Sequence, residues 1–262
     1  MSHTLWIGGA PASGKTTVAT RIARRHGLRL YSADTRTWEH RDRALAAGNA
    51  AARRWEAMTP HERWERSTPA EMLQMSLHRE RGGMVLDDLR ALPPQPLAIA
   101  EGSTLPAAAA DPARAVWLLP TPEFQRAQLA ARGTTGGAVE LYALLNEVIG
   151  AEAREHAIPT LSVDGTQGIE ETTRTIESLF AEALAAGPRA ATIEERRALL
   201  REINEAIVAQ VRGYYARPWA EGDPDTVAWR FVCECGDPTC DHDLDIRVGD
   251  VAAGPARAAA HS

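Results

Sequence analysis

Short apolar runs alternate with longer amphipathic stretches through the first 186 residues. Thr4-Leu5-Trp6-Ile7-Gly8 is too short for a helix and suits a strand buried on both faces. Thr16 to His26 places Val18, Ala19, Ile22 and Ala23 at helical spacing, with Arg21, Arg24 and Arg25 off that stripe. Further strands are predicted over 28–32, 97–100, 115–119 and 160–163, and helices over 69–81, 121–132, 138–156 and 168–186. This alternation predicts an α/β body: a parallel five-stranded sheet with helices on both faces. Ligands of such a sheet sit beyond the carboxyl ends of its strands, and Asp34, Glu101 and Asp164 stand at three of those ends.

The pattern changes at Gly187-Pro188. Beyond it, Thr192 to Arg212 reads as one amphipathic helix, capped by Thr192 with Glu195 three residues on. A strand over 227–232 and a cysteine cluster follow. The organisation expected is a body over 1–186 with a helical insertion at 35–92, then a small C-terminal helix and Cys-containing hairpin over 187–251. Residues 252–262 read as a disordered tail. The apolar stripe of the 192–212 helix also offers a face on which two copies would pair as a homodimer.

Composition narrows the function. The chain has 29 basic and 35 acidic side chains, a net charge of −6, which disfavours a nucleic-acid surface. It has no run of eighteen apolar residues and no charged-then-apolar leader, so the expectation is a cytoplasmic protein without a membrane partner. Among the 29 basic residues only Lys15 is a lysine. An ammonium is a compact point charge that reaches between phosphate oxygens, where a guanidinium is a planar fork.

Lys15 lies in Gly9-Ala10-Pro11-Ala12-Ser13-Gly14-Lys15-Thr16, which matches the phosphate-loop (Walker A) pattern G-x-x-x-x-G-K-[ST]. The run follows a predicted strand and opens a predicted helix, as the chemistry requires: inward N–H groups and a helix N-terminus together cradle phosphate. Gly9, Ala12, Ser13, Gly14, Lys15, Thr16 and Thr17 are therefore the candidate nucleotide-binding residues. Lys15 is expected on the β- and γ-phosphates and the Thr16 hydroxyl on Mg²⁺.

This loop, the apolar strand ending in Glu101-Gly102 and the Leu118-Leu119-Pro120-Thr121-Pro122-Glu123 segment running to Arg132-Gly133 together resemble the small P-loop kinases. These are the nucleoside-monophosphate, shikimate and gluconate kinases and the chloramphenicol phosphotransferases. The resemblance implies a P-loop NTPase fold and ATP- and Mg²⁺-dependent transfer of the γ-phosphate to a hydroxyl of a small-molecule acceptor. It implies that Asp34, after the second strand, orients or deprotonates that hydroxyl, and that Glu101 serves the magnesium with Thr16. It further implies adenine contacts at Gly165 and Thr166 and a lid at 133–137, with Arg126 and Arg132 as the catalytic arginines. The chain departs from the family in that Gln128 stands where an arginine is usual and the lid contains none. Two other readings fit the same features: an antibiotic-inactivating phosphotransferase, and a nucleotide-binding regulatory protein whose C-terminal module binds a partner.

Cys233, Cys235, Cys240 and His242 fall within ten residues, and no other cysteine occurs in the chain. Tetrahedral Zn²⁺ accepts such a Cys₃His set, with reduced structural thiols as the alternative.

Overall fold

The computed structural model describes residues 3–258. In chain order its helices are α1 (Lys15–His26), α2 (Thr37–Ala46), α3 (Ala50–Ala57), α4 (Pro69–Met75), α5 (His78–Ala91), α6 (Pro122–Ala131), α7 (Gly137–Glu155), α8 (Ile169–Leu179), α9 (Ala181–Ala186), α10 (Ile193–Tyr215) and α11 (Val248–Ala253). Strands β1 (Thr4–Gly9), β2 (Arg29–Ser32), β3 (Ala98–Gly102), β4 (Ala115–Pro120) and β5 (Thr160–Val163) form one parallel sheet ordered β2-β3-β1-β4-β5. β6 (Ala228–Val232) and β7 (Asp243–Arg247) form a separate antiparallel pair.

The sheet is covered on both faces because its strands are apolar in both directions. Leu5 and Ile7 of β1 pack with Val18 and Ile22 of α1 and Ile176 of α8, while Trp6 joins Met72, Leu141 and Leu145 on the opposite side. This is the α/β architecture that the sequence predicts, a parallel five-stranded sheet with helices on both faces and the 9–16 loop between the central strand and α1.

Two helices expected to be continuous are broken. The 69–81 segment stops at Met75 and restarts at His78, with Leu77 between them at φ 59. Leu77 is pulled into a small cluster with Ala44 and Ala52, which takes the chain off the helix axis. The 168–186 segment breaks at Phe180, whose ring is buried against the sheet.

The C-terminal module packs on its own chain. Leu200 and Ile203 of α10 cover Leu30 of β2 and Val232, and Val208 and Val211 join Phe231, Val248 and Val251. The stripe expected to meet a second copy is thus occupied within one molecule, and the homodimer expectation loses its face. Residues 252–258 are not a free tail either. Ala252 and Ala253 end α11, Ala256 is buried, and its carbonyl accepts a hydrogen bond from the Glu234 amide. The remainder of that expected tail, 259–262, lies outside the described residues.

Candidate functional site

The 9–16 loop leaves β1 at Gly9 and enters α1 at Lys15. Its curl uses left-handed backbone at Ala12 (φ 66) and Gly14 (φ 82), the second a position where a Cβ is disfavoured. Gln125 of α6 fastens the loop by donating from Nε2 to the Pro11 carbonyl at 3.1 Å and to the Tyr142 carbonyl at 3.1 Å. Ser13 Oγ is buried at the loop without a hydrogen-bond partner, an orphaned donor of the kind a bound phosphate satisfies.

Lys15 is buried, and its Nζ lies 3.5 Å from Asp34 Oδ2. Asp34 starts the short turn after β2, and its side chain remains 43% exposed, open to an incoming ligand. Burial of the neighbourhood pushes its carboxyl up, but Lys15, Arg81 and a hydrogen bond from Ser103 outweigh that and hold it below the ordinary carboxylate range. Arg81, from α5, is buried and donates to the Ala33 carbonyl at 2.5 Å, steadying the backbone that carries Asp34.

Glu101 is the second carboxylate beside the 9–16 loop. Parallel register sets it between Ile7 of β1 and Ser32 of β2, with no exposed surface. It accepts from Thr16 Oγ1 at 3.0 Å and from the Ser32 hydroxyl. Burial pushes its carboxyl up to about 7, and the Asp34 charge adds to the rise. Hydroxyl and carboxylate oxygens of this kind suit Mg²⁺, so Thr16 and Glu101 fit the expected metal. Thr17 follows on the exposed side of α1.

The remaining expected residues divide. Arg132 ends α6 within electrostatic reach of the crevice: burial and the Asp34 charge raise the Tyr142 phenol, and Arg132 opposes them. Arg126 points to solvent, 63% exposed and 3.2 Å from Glu123 one turn earlier, so the structure does not bring it to Lys15. Helical spacing decides this, because positions 125 and 126 face different ways and Gln125 takes the inward one. Gly165 and Thr166 follow β5 in a turn closed by Asp164, which accepts from the Thr166 amide at 2.9 Å and hydroxyl at 2.7 Å. Asp164 is therefore engaged in its own turn. The half-exposed Ile169 just beyond it comes close to Gly14, so this loop adjoins the 9–16 loop. The expected lid is mostly exposed, with its last residue closely seated: a Cβ at Gly137 would stand 2.2 Å from the Trp64 carbonyl.

The 35–92 insertion contributes mostly framework. His40 is fully buried and meets Asp88 Oδ2 at 2.8 Å, which also accepts from Tyr31 at 2.7 Å. Trp38 and Trp55 pack with buried arginines: the Arg63 guanidinium lies 4.8 Å from the Trp55 ring centre and 4.0 Å from that of Trp219. Arg217 pairs bidentately with Asp42 at 2.6 and 2.9 Å, joining this insertion to the residues just after α10. Arg81, Ser32, Ser103 and Gln125 carry no periodic or motif signal. Only Ser32, at a strand's carboxyl end, occupies a position that suggests a ligand.

No helix among the described residues is long and apolar enough to cross a membrane. No family model matches the chain, and no curated protein does. Among solved structures, the shikimate kinase from Acinetobacter baumannii in complex with shikimate is similar over 69% of this chain and 93% of its own length. The identity is 16% and the TM-score 0.42.

Proposed function

We propose that this protein is a phosphotransferase that moves the γ-phosphate of ATP, with Mg²⁺, to a hydroxyl group of a small-molecule acceptor. The observation that carries the reading is the Lys15–Asp34 pair at 3.5 Å, where the chain's one lysine joins the phosphate loop to an accessible carboxylate. The loop amides, Ser13 and Lys15 would hold the phosphates, and Thr16 and Glu101 the cation. Bound ATP would supply the phosphoryl group, and Mg²⁺ held by Thr16 and Glu101 would offset negative charge on the phosphates.

Lys15 exchanges its Asp34 contact for phosphate oxygens, and Asp34 is then available to the acceptor. The acceptor oxygen forms its bond to phosphorus as the bridging bond to the β-phosphate breaks, and its proton passes to Asp34. Arg81 holds the Asp34 backbone through this exchange, and Arg132 adds positive charge at the crevice. The Lys15 charge holds Asp34 ionised before ATP binds, and when Lys15 turns to the phosphates the loss of that contact raises the proton affinity of Asp34 toward the acceptor hydroxyl.

The test is ADP release, with phosphoryl transfer followed by ³¹P NMR, across a panel of hydroxyl-bearing metabolites and antibiotics. Transfer to at least one acceptor is expected, with Asp34→Asn lowering kcat by roughly 10²–10⁴-fold while ATP affinity barely changes. ATP hydrolysis at one slow rate whatever acceptor is present would favour the regulatory reading instead.

A further inference from the structure

The ten residues between β6 and β7 have no apolar core of their own. Cys233, Cys235 and Cys240 are buried together, and among the described residues Leu244 and Ala258 are the partly buried hydrophobic side chains packed against them. Their sulfurs lie within 4.8 Å of one another, and no disulfide joins them. Cys240 Sγ lies 3.7 Å from His242 Nδ1. With Zn–S near 2.3 Å and Zn–N near 2.05 Å, a tetrahedral site has S···S edges of about 3.8 Å and S···N edges of about 3.6 Å. The Cys240–His242 pair already stands at such an edge, and the three thiols need only draw in slightly to share one ion.

The surroundings are those of a ligand loop. Gly236, at φ 83, turns the chain between Cys235 and Cys240, and the Cys233 amide donates to the His242 carbonyl at 3.1 Å, closing the base. The Ala258 amide donates to Cys233 Sγ at 3.4 Å, the contact that steadies a metal-bound thiolate from its outer side. Arg197 of α10 donates to the Cys235 carbonyl at 3.0 Å, and Arg24 of α1 to the His242 carbonyl at 3.0 Å.

We propose that Cys233, Cys235, Cys240 and His242 Nδ1 form a closed, structural Zn²⁺ site that fastens the C-terminal hairpin to α1 and α10. Four protein ligands leave no position for a water, so the ion is not catalytic. Arg24 follows Lys15 by nine residues, roughly 13 Å along α1, so the site is separate from the phosphate loop. It does not depend on the phosphoryl-transfer reading.

The test uses tag-free, full-length protein purified without chelator. One zinc per chain is expected by elemental analysis, released quantitatively when an organomercurial titrates the thiols. Cobalt substitution of the same protein should give thiolate charge-transfer bands and tetrahedral ligand-field bands, the latter altered in His242→Ala. Lys15→Ala should retain the zinc in full, which separates this site from the nucleotide site. These wild-type readouts stand even where a cysteine variant fails to fold. Reduced full-length protein that takes up no zinc from a metal-buffered solution, or that holds cobalt without thiolate bands, would overturn the proposal.

Discussion

Glu101 carries a pH dependence that can be worked out before any ligand is added. Its carboxyl has no exposed surface, and burial, with the Asp34 charge adding to it, raises its pKa from the ordinary 4.5 to about 7 against the opposing pull of Lys15 and of the Ser32 and Thr16 hydrogen bonds. Between those values the folded chain holds a proton that the unfolded chain has lost, so stability falls as pH rises through the window. At about 1.4 kcal/mol per tenfold change in proton affinity, the loss amounts to on the order of 3 kcal/mol above pH 7. Glu101→Gln removes the titration while keeping one acceptor and one donor for the two hydroxyls. Wild type and variant should therefore be equally stable near pH 4.5, and the variant should pull ahead up to pH 8. Urea unfolding of both ligand-free proteins across that range measures the difference directly. A constant gap at every pH, or a wild type that gains on the variant as pH rises, would refute the assignment of Glu101 as a buried, raised carboxyl.

Two further substitutions probe neighbouring parts. Lys15→Ala and Lys15→Arg should each lower phosphoryl transfer by roughly 10²–10³-fold, the usual effect of removing one charge-stabilising donor; near-normal turnover in both, measured as ADP release, would contradict the phosphate-loop role. Gly137→Ala drives a Cβ onto the Trp64 carbonyl and should cost about 1–3 kcal/mol in chemical denaturation; unchanged stability would show that the start of α7 is not seated on that turn.

The parts of the molecule legible in the sequence are those encoded locally. The strand pattern, the 9–16 loop and the Thr192–Glu195 capping box depend on residues close in the chain, and each stands where periodicity and motif place it. β7 is local too: Leu244 and Ile246 alternate with Asp243, Asp245 and Arg247, a period-two pattern directly after the cysteines. The breaks at Leu77 and Phe180 were not legible, because each depends on a pocket built by distant elements. The same holds for Arg81 and Gln125, ordinary polar positions on helices until the fold brings Ala33 and Pro11 against them. That Gln125 rather than Arg126 turns inward is likewise set by which face of α6 is covered.

β2 is the last strand of the sheet, hydrogen-bonded to β3 on one side only. Alongside it lies α10, with Leu200 and Ile203 over Leu30 and Glu202 bound to Arg29 at 2.8 Å. A bare strand margin is a template on which another molecule's strand can assemble. The C-terminal module therefore shields the body from self-association, and a chain cut at Gly187 would present that margin, with its apolar cover stripped, to every other copy. Aggregation of such a fragment would reflect an exposed edge rather than failure of the α/β body to fold.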